Sequence, residues 1–120
     1  MSDDSIEVRI AAARALAHED DERIVAPLVK LLTDEHNDVR VIAARTLGDI
    51  GDARAIEPLI CALEDKSWRV RLSAVTALGR IGDERAIAPL VKLRKDTDKP
   101  VRNAATYALE TLGYTGRKRK

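Results

Sequence analysis

The chain has 120 residues, of which 45% are apolar, 34% charged and 2% aromatic, with a formal net charge of +1. This length fits one domain, the apolar fraction is too high for a disordered chain, and the balanced charge argues against a dedicated nucleic-acid binder. The longest apolar run has six residues, Ile24 to Val29, and is too short to span a membrane. No basic segment followed by an apolar one opens the chain, so we expect no signal peptide. The single cysteine points to a reducing, cytoplasmic location.

Apolar residues recur at spacings of three and four along most of the chain, which predicts amphipathic helices. Val39, Ala43 and Leu47 mark one such helical face. Gly51 then offers a left-handed stop, and Asp52 can cap the helix that follows. Connections are short, so neighbouring helices should be antiparallel. The complete pattern predicts seven helices, at about 5–17, 23–33, 37–50, 54–64, 68–81, 85–95 and 99–112.

Several sequence markers return every 31 residues, and this interval predicts stacked helical repeats. The markers are the valines of Val-Arg pairs, Val8, Val39, Val70 and Val101; the leucines Leu16, Leu47, Leu78 and Leu109; and the prolines Pro27, Pro58 and Pro89. One helical hairpin cannot bury its own apolar face, so stacking on the next unit stabilises the fold. We therefore predict an all-α solenoid over residues 1–113 and a flexible basic tail over 114–120. Each marker proline either lies in the first turn of its helix or bends that helix.

These residues resemble HEAT repeats, and specifically the short type named after phycobilisome lyases. The helix with Pro-Leu, such as Ala55 to Ile60, is similar to the outer helix A of that family. The helix with Val-Arg and Leu-Gly, such as Val39 to Gly48, is similar to the inner helix B. The resemblance covers about residues 3–113 and implies a right-handed α-α superhelix with the B helices on the concave face. We interpret the chain as a protein-interaction or scaffold module.

The resemblance also implies a ladder of hydrogen bonds between aspartates and the helix-B arginines that follow them by six residues. An arginine offers several donors, so it can bridge its own turn and a neighbouring turn. We expect a structural role for this ladder, and a ligand-binding row of arginines is the alternative. The pairs are Asp3 and Arg9, Asp34 and Arg40, Asp65 and Arg71, and Asp96 and Arg102.

The helix-B positions that vary between units form one stripe away from the apolar face, and the resemblance places this stripe on the concave side. Arginine, aliphatic residues and tyrosine together suit a protein surface better than a catalytic pocket. A plain solvated face is the alternative. The predicted partner-binding residues are Arg14, Val41, Arg45, Asp49, Trp68, Arg69, Leu72, Thr76, Arg80, Asn103 and Tyr107.

Trp68 aligns with the polar residues Asn37 and Lys99, so we expect it to lie outside the deep core. It either forms a binding hot spot with Arg69 and Tyr107 or packs over the turn between two helices.

Cys61 aligns with lysines and should be exposed to solvent. We expect an unreactive surface thiol, with modification or a dimer disulfide as alternatives.

The N-terminal end carries a lone B helix without the A helix that should cover it. Ile6, Val8 and Ile10 crowd this end, so we hypothesise that it packs against a second chain. Alternatively, the N-terminal residues fold over it, or this end tolerates exposure to solvent.

Other functions have weaker support in the sequence. The acidic run from His18 to Glu22 lies within one turn and lacks a distant second ligand group, so we expect no metal site. No nucleophile–base pair, phosphate-binding glycine loop or catalytic carboxylate pair stands out, so we expect neither an enzyme nor a cofactor. Similar repeats build bilin lyase subunits and iron-binding deoxyhypusine hydroxylases, but one His-Glu pair argues against a di-iron site. An accessory role in a bilin or cofactor lyase system is one alternative function. Weak nucleic-acid binding through the basic residues 117–120 is another.

Overall fold

The computed structural model describes Val8, Ala11, Ala12, Ala15 and residues 24–114. Within these residues the chain forms α-helices and 3-10 turns but no strand, so the all-α class is confirmed. Of the predicted helix at 5–17, only Val8, Ala11, Ala12 and Ala15 are described, and these four residues are helical. Its other residues lie outside the described part of the chain. No helix of the described part is long and apolar enough to cross a membrane. The six described α-helices are α1 Val25–Leu31, α2 Asn37–Ile50, α3 Ile56–Ala62, α4 Trp68–Ile81, α5 Ile87–Lys92 and α6 Lys99–Thr111.

The ends of the long helices follow from local chemistry. Gly51 ends α2 in the left-handed conformation, with φ of 74°, and Asp52 accepts a hydrogen bond from the backbone N–H of Arg54 at 2.8 Å. Both features confirm the sequence prediction. The side chain of Arg54 also donates to Asp52, and this hydrogen bond lowers the pKa of the Asp52 carboxyl to about 2. Gly82 and Asp83 form the same arrangement after α4.

The Pro-Leu helices are shorter than the predicted ranges 23–33, 54–64 and 85–95. Three-residue 3-10 turns occupy part of those ranges, at Ala53–Ala55, Glu84–Ala86 and Leu93–Lys95. Pro58 is the third residue of α3, so it lies in the first turn, where backbone N–H groups have no partner within the helix. A longer helix would need an N–H from Pro58 to the carbonyl of Arg54, which proline lacks. With the 3-10 turns included, the helical segments Ala53–Ala62 and Glu84–Lys95 agree closely with the predicted ranges 54–64 and 85–95.

The helices pack in two rows. In one row α2 packs against α4, and α4 packs against α6; we call these three the B helices. In the other row, α1, α3 and α5 each pack against the B helix that follows. Leucines from both rows fill the core, and Leu47, Leu78 and Leu109 are almost completely buried. The rows form a helical solenoid in which the core lies between them.

Small residues allow the B helices to approach closely. A Cβ atom added to Gly48 would lie 2.7 Å from the Cα atom of Ala77, which belongs to the next B helix. A Cβ atom added to Gly79 would lie 3.2 Å from the Cβ atom of Ala108 in the helix after that. Glycine at position 48 therefore permits a helix contact that any side chain would obstruct.

Candidate functional site

The ladder residues join consecutive units of the solenoid. Arg40 donates from Nη1 to the backbone carbonyl of Asp34 at 2.7 Å, and from Nε and Nη2 to the carboxylate of Asp65 at 2.9 and 3.1 Å. Arg71 repeats this pattern with the carbonyl of Asp65 and the carboxylate of Asp96. Each of these arginines thus bridges its own turn and the next one.

These hydrogen bonds give the ladder arginines a structural role. All three side-chain nitrogens of Arg40 donate within the protein, and the residue is only 5% exposed. Arg102 donates to the backbone carbonyl of Asp96 at 2.8 Å. Asp3 and Arg9 lie outside the described residues. The geometry favours the structural role over the ligand-binding one, because a ligand would compete with existing charge-assisted bonds.

The predicted stripe contains an exposed group on the three B helices. Arg45, Thr76 and Tyr107 occupy equivalent positions and are all exposed, and Tyr107 is 72% exposed. Asp49 and Arg80 are exposed one helical turn further along. We call these five residues the B-helix surface.

The other predicted partner-binding residues are more scattered. Val41 and Leu72 are half-buried and pack against the core. Asn103 and Arg69 are exposed, and Arg14 lies outside the described residues.

Two adjoining cavities open on the B-helix surface. The larger, about 520 Å³, lies between α4 and α6. The smaller, about 210 Å³, lies between α2 and α4. Both are lined by Thr76 and Arg80, so they lie on either side of these two residues of α4. We call the larger cavity the Tyr107 groove; it is lined by Thr76, Gly79, Arg80, Ala104, Tyr107, Ala108 and Thr111.

The small residues of the Tyr107 groove give it depth. Gly79, Ala104 and Ala108 present little side-chain volume between α4 and α6, whereas Tyr107 and Arg80 carry large side chains into the solvent. Gly79 and Ala108 were not among the predicted partner-binding residues. The sequence does carry an indication of them, because glycine and alanine recur at these two helix-B positions. Gly48 and Ala77 are the equivalent residues one unit earlier.

The charges on this surface are only partly paired. Arg80 of α4 forms an ion pair and a hydrogen bond with Asp49 of α2, and the two side chains are 60% and 57% exposed. Arg45 forms no ion pair with any residue in the described part of the chain. An exposed ion pair contributes little to stability, so the Arg80–Asp49 pair can open at small cost.

Trp68 lies apart from the Tyr107 groove. It is 39% exposed, as its alignment predicted, and the guanidinium carbon of Arg69 lies 5.9 Å from the centre of its ring. Trp68 begins α4, whereas Thr76, the equivalent of Tyr107, lies eight residues later and about 12 Å along the helix axis. Trp68 and Tyr107 therefore lie at different levels along the B helices.

Cys61 is exposed, as its alignment predicted. It lines a cavity of about 530 Å³ on the side of α1 and α3. The charged walls of that cavity include Arg40 and Asp65, which already bind each other.

Within the described ranges, no cluster of histidine, cysteine, aspartate and glutamate could hold a metal ion. The run from His18 to Glu22 lies outside them.

Comparisons with known proteins agree with this architecture. The sequence model of the family described as HEAT repeats matches residues 1–61 and, in an overlapping match, residues 25–110. Among solved structures, the chain is similar to the crystal structure of an engineered protein from the Northeast Structural Genomics Consortium, with 28% sequence identity and a TM-score of 0.70. The similarity covers 92% of this chain and 58% of the engineered protein, so the chain spans little more than half of that protein's length. No curated protein matches the chain.

Proposed function

Because this chain belongs to the HEAT-repeat family, we propose that it is a protein-interaction module that binds a partner on its B-helix surface. Repeat solenoids generally use extended surfaces of stacked helices to hold other proteins. The observation that carries the proposal is the Tyr107 groove, where an exposed tyrosine stands beside a depression floored by small residues. Tyrosine and arginine are the side chains that most often anchor protein interfaces, and this surface offers both.

The fixed spacing of the B helices supports this function. The contacts at Gly48 and Gly79 set the spacing between neighbouring B helices, and the bonds of Arg40 and Arg71 tie consecutive units together. Side chains on packed helices lose less freedom on binding than side chains on a mobile loop. The groove therefore has its shape before a partner arrives.

The two threonine hydroxyls of the groove favour binding over catalysis. Thr76 donates its hydroxyl to the backbone carbonyl of Leu72 at 3.1 Å, and Thr111 donates to that of Tyr107 at 3.0 Å. A nucleophilic hydroxyl instead needs a hydrogen bond to a general base.

Two finer assignments belong to the same proposal. The repeats are of the short phycobilisome-lyase-like type, which the bonds of Arg40 and Arg71 to successive aspartates support. The module acts in the cytoplasm, which the single, exposed cysteine supports.

Site-specific photocrosslinking tests the function. A photoreactive residue at Thr76, inside the groove, should capture a partner from a lysate of the source organism, whereas the same residue at exposed Glu57 on α3 should not. The captured protein is then identified by mass spectrometry, purified and titrated against the chain.

Two aromatic variants give the titration its control. Tyr107→Ala should weaken binding about tenfold or more. Trp68→Ala, outside the groove, should leave the Kd unchanged. Equal capture from both photoreactive positions, or full affinity in Tyr107→Ala, would contradict a groove-dependent function.

A further inference from the structure

We propose that the B-helix surface binds an acidic, extended segment of its partner. A carboxylate of that segment pairs with Arg45 and Arg80, and an apolar side chain two or three residues away enters the Tyr107 groove. This inference rests on the proposed function and names the chemistry of the partner.

The charges of the surface select a carboxylate. Arg45 and Arg80 supply two positive charges, and Asp49 supplies the one negative charge among the described residues lining the two cavities. Arg45 is exposed, and its planar guanidinium can bind a carboxylate through two parallel hydrogen bonds. The same carboxylate can compete for Arg80, because the Arg80–Asp49 pair is exposed.

The spacing of the two cavities sets the spacing on the ligand. They occupy successive gaps between B helices, one beside α2 and α4 and the other beside α4 and α6. Packed helices lie about 8–10 Å apart. An extended chain advances about 3.3 Å per residue, so two or three residues span that distance.

The apolar half of the ligand follows from the lining of the Tyr107 groove. Its floor consists of Gly79, Ala104 and Ala108, which offer no charge, and Tyr107 forms a flat wall. An aliphatic or aromatic side chain can fill this depression and stack on the exposed ring.

Two other occupants fit the charges less well. A nucleic-acid backbone binds through many phosphate contacts, whereas these cavities present two arginines with Asp49 beside them. The chain's own tail at residues 117–120 is basic, so Arg45 and Arg80 would repel it.

Selection from a displayed library of random dodecapeptides tests the inference on the full chain. We expect the enriched peptides to contain aspartate or glutamate two or three positions from a leucine or an aromatic residue. The strongest peptide, carrying a fluorescent label, is then titrated against variants. Arg45→Ala and Arg80→Ala should each raise the Kd about tenfold, and added salt should raise it further.

Matched variants show whether the charges act at this place. Arg94→Ala removes an exposed arginine outside both cavities and should leave the Kd unchanged. Arg45→Glu should abolish binding of the acidic peptide and favour a version with lysine in place of the acid. Both Arg45 and Arg80 are exposed, so we expect these variants to retain the helicity of the unsubstituted chain.

Several results would overturn the inference. These are a selection without acidic enrichment, peptides whose affinity survives loss of both arginines, and a single-stranded oligonucleotide that binds through Arg45 and Arg80 more tightly than any peptide. If photocrosslinking at Thr76 still captures a Tyr107-dependent partner, only the acidic segment is refuted. If it captures none, the proposed function itself fails.

Discussion

Replacing Gly48 by alanine should force α2 away from α4 and lower the free energy of unfolding. The added Cβ atom would lie 2.7 Å from the Cα atom of Ala77 and 2.8 Å from its Cβ atom. Carbon atoms in contact are normally about 3.5–4.0 Å apart. The nearer atom belongs to the backbone of α4, so no side-chain rotation can relieve the overlap. One helix must therefore move relative to the other.

Two opposing effects set the size of this destabilisation. Overpacking of a close contact costs about 1–3 kcal/mol. Alanine has the higher helix propensity and returns up to about 1 kcal/mol. A shift of α2 also strains the bonds from Arg40 to Asp65 in the turn before α4. We expect a net loss of about 1–2 kcal/mol, because the overlap is with backbone.

Urea unfolding followed by circular dichroism measures the effect, and Gly79→Ala is its matched control. There the added Cβ atom would lie 3.2 Å from the Cβ atom of Ala108, so a smaller movement suffices. This variant should remain within about 0.5 kcal/mol of the unsubstituted chain, since the gain in helix propensity offsets the strain. If Gly48→Ala proves as stable as the unsubstituted chain, the close approach does not limit the packing of the B helices.

Three further predictions concern the core, the ladder and a cap. Leu47→Ala should lower the free energy of unfolding by about 2–5 kcal/mol, because Leu47 is completely buried. A smaller decrease, measured by urea unfolding, would mean that neighbouring side chains move in to fill the cavity. Arg40→Ala should cost about 3–5 kcal/mol in the same assay, because it leaves the mostly buried Asp65 carboxylate without its cation. Asp52→Asn should cost less than about 1 kcal/mol at neutral pH, since the Arg54 pair is substantially exposed. The pKa of Asp52 in the folded chain is about 2, below its ordinary 3.8, so this contribution is present above pH 3.8 and is lost as the pH falls towards 2. The unfolding free energies of Asp52→Asn and the unsubstituted chain should therefore converge as the pH falls over that interval. If their difference stays constant instead, the charge of Asp52 does not contribute to stability.

Local patterns predicted most of the helical structure. The bounds of α2 and α4 agree with the ranges 37–50 and 68–81, because apolar spacing and a terminal glycine act within a few residues of each other. The Pro-Leu helices were less predictable. Apolar spacing alone does not distinguish an α-helix from a 3-10 turn that leads into it, and Pro58 decided that difference through the bond it cannot make.

The candidate site shows where sequence patterns are insufficient. The exposure of Arg45, Thr76 and Tyr107 follows from their equivalent positions on the face of a B helix that points away from the core. The axial offset of Trp68 from Tyr107 also follows from the sequence, because eight residues separate Trp68 from Thr76. The two cavities beside Thr76 do not follow from it, because they depend on the gaps between packed helices.

The sequence by itself determined which residues form helices, where the long helices stop and which side chains face away from the core. Those properties depend on backbone chemistry and on neighbours within one or two turns. Only the tertiary structure decided that Tyr107 and Arg80 border one groove, since that depends on how far apart α4 and α6 lie. Contacts such as Gly79 with Ala108 set this distance, and their geometry exists only after the helices have packed.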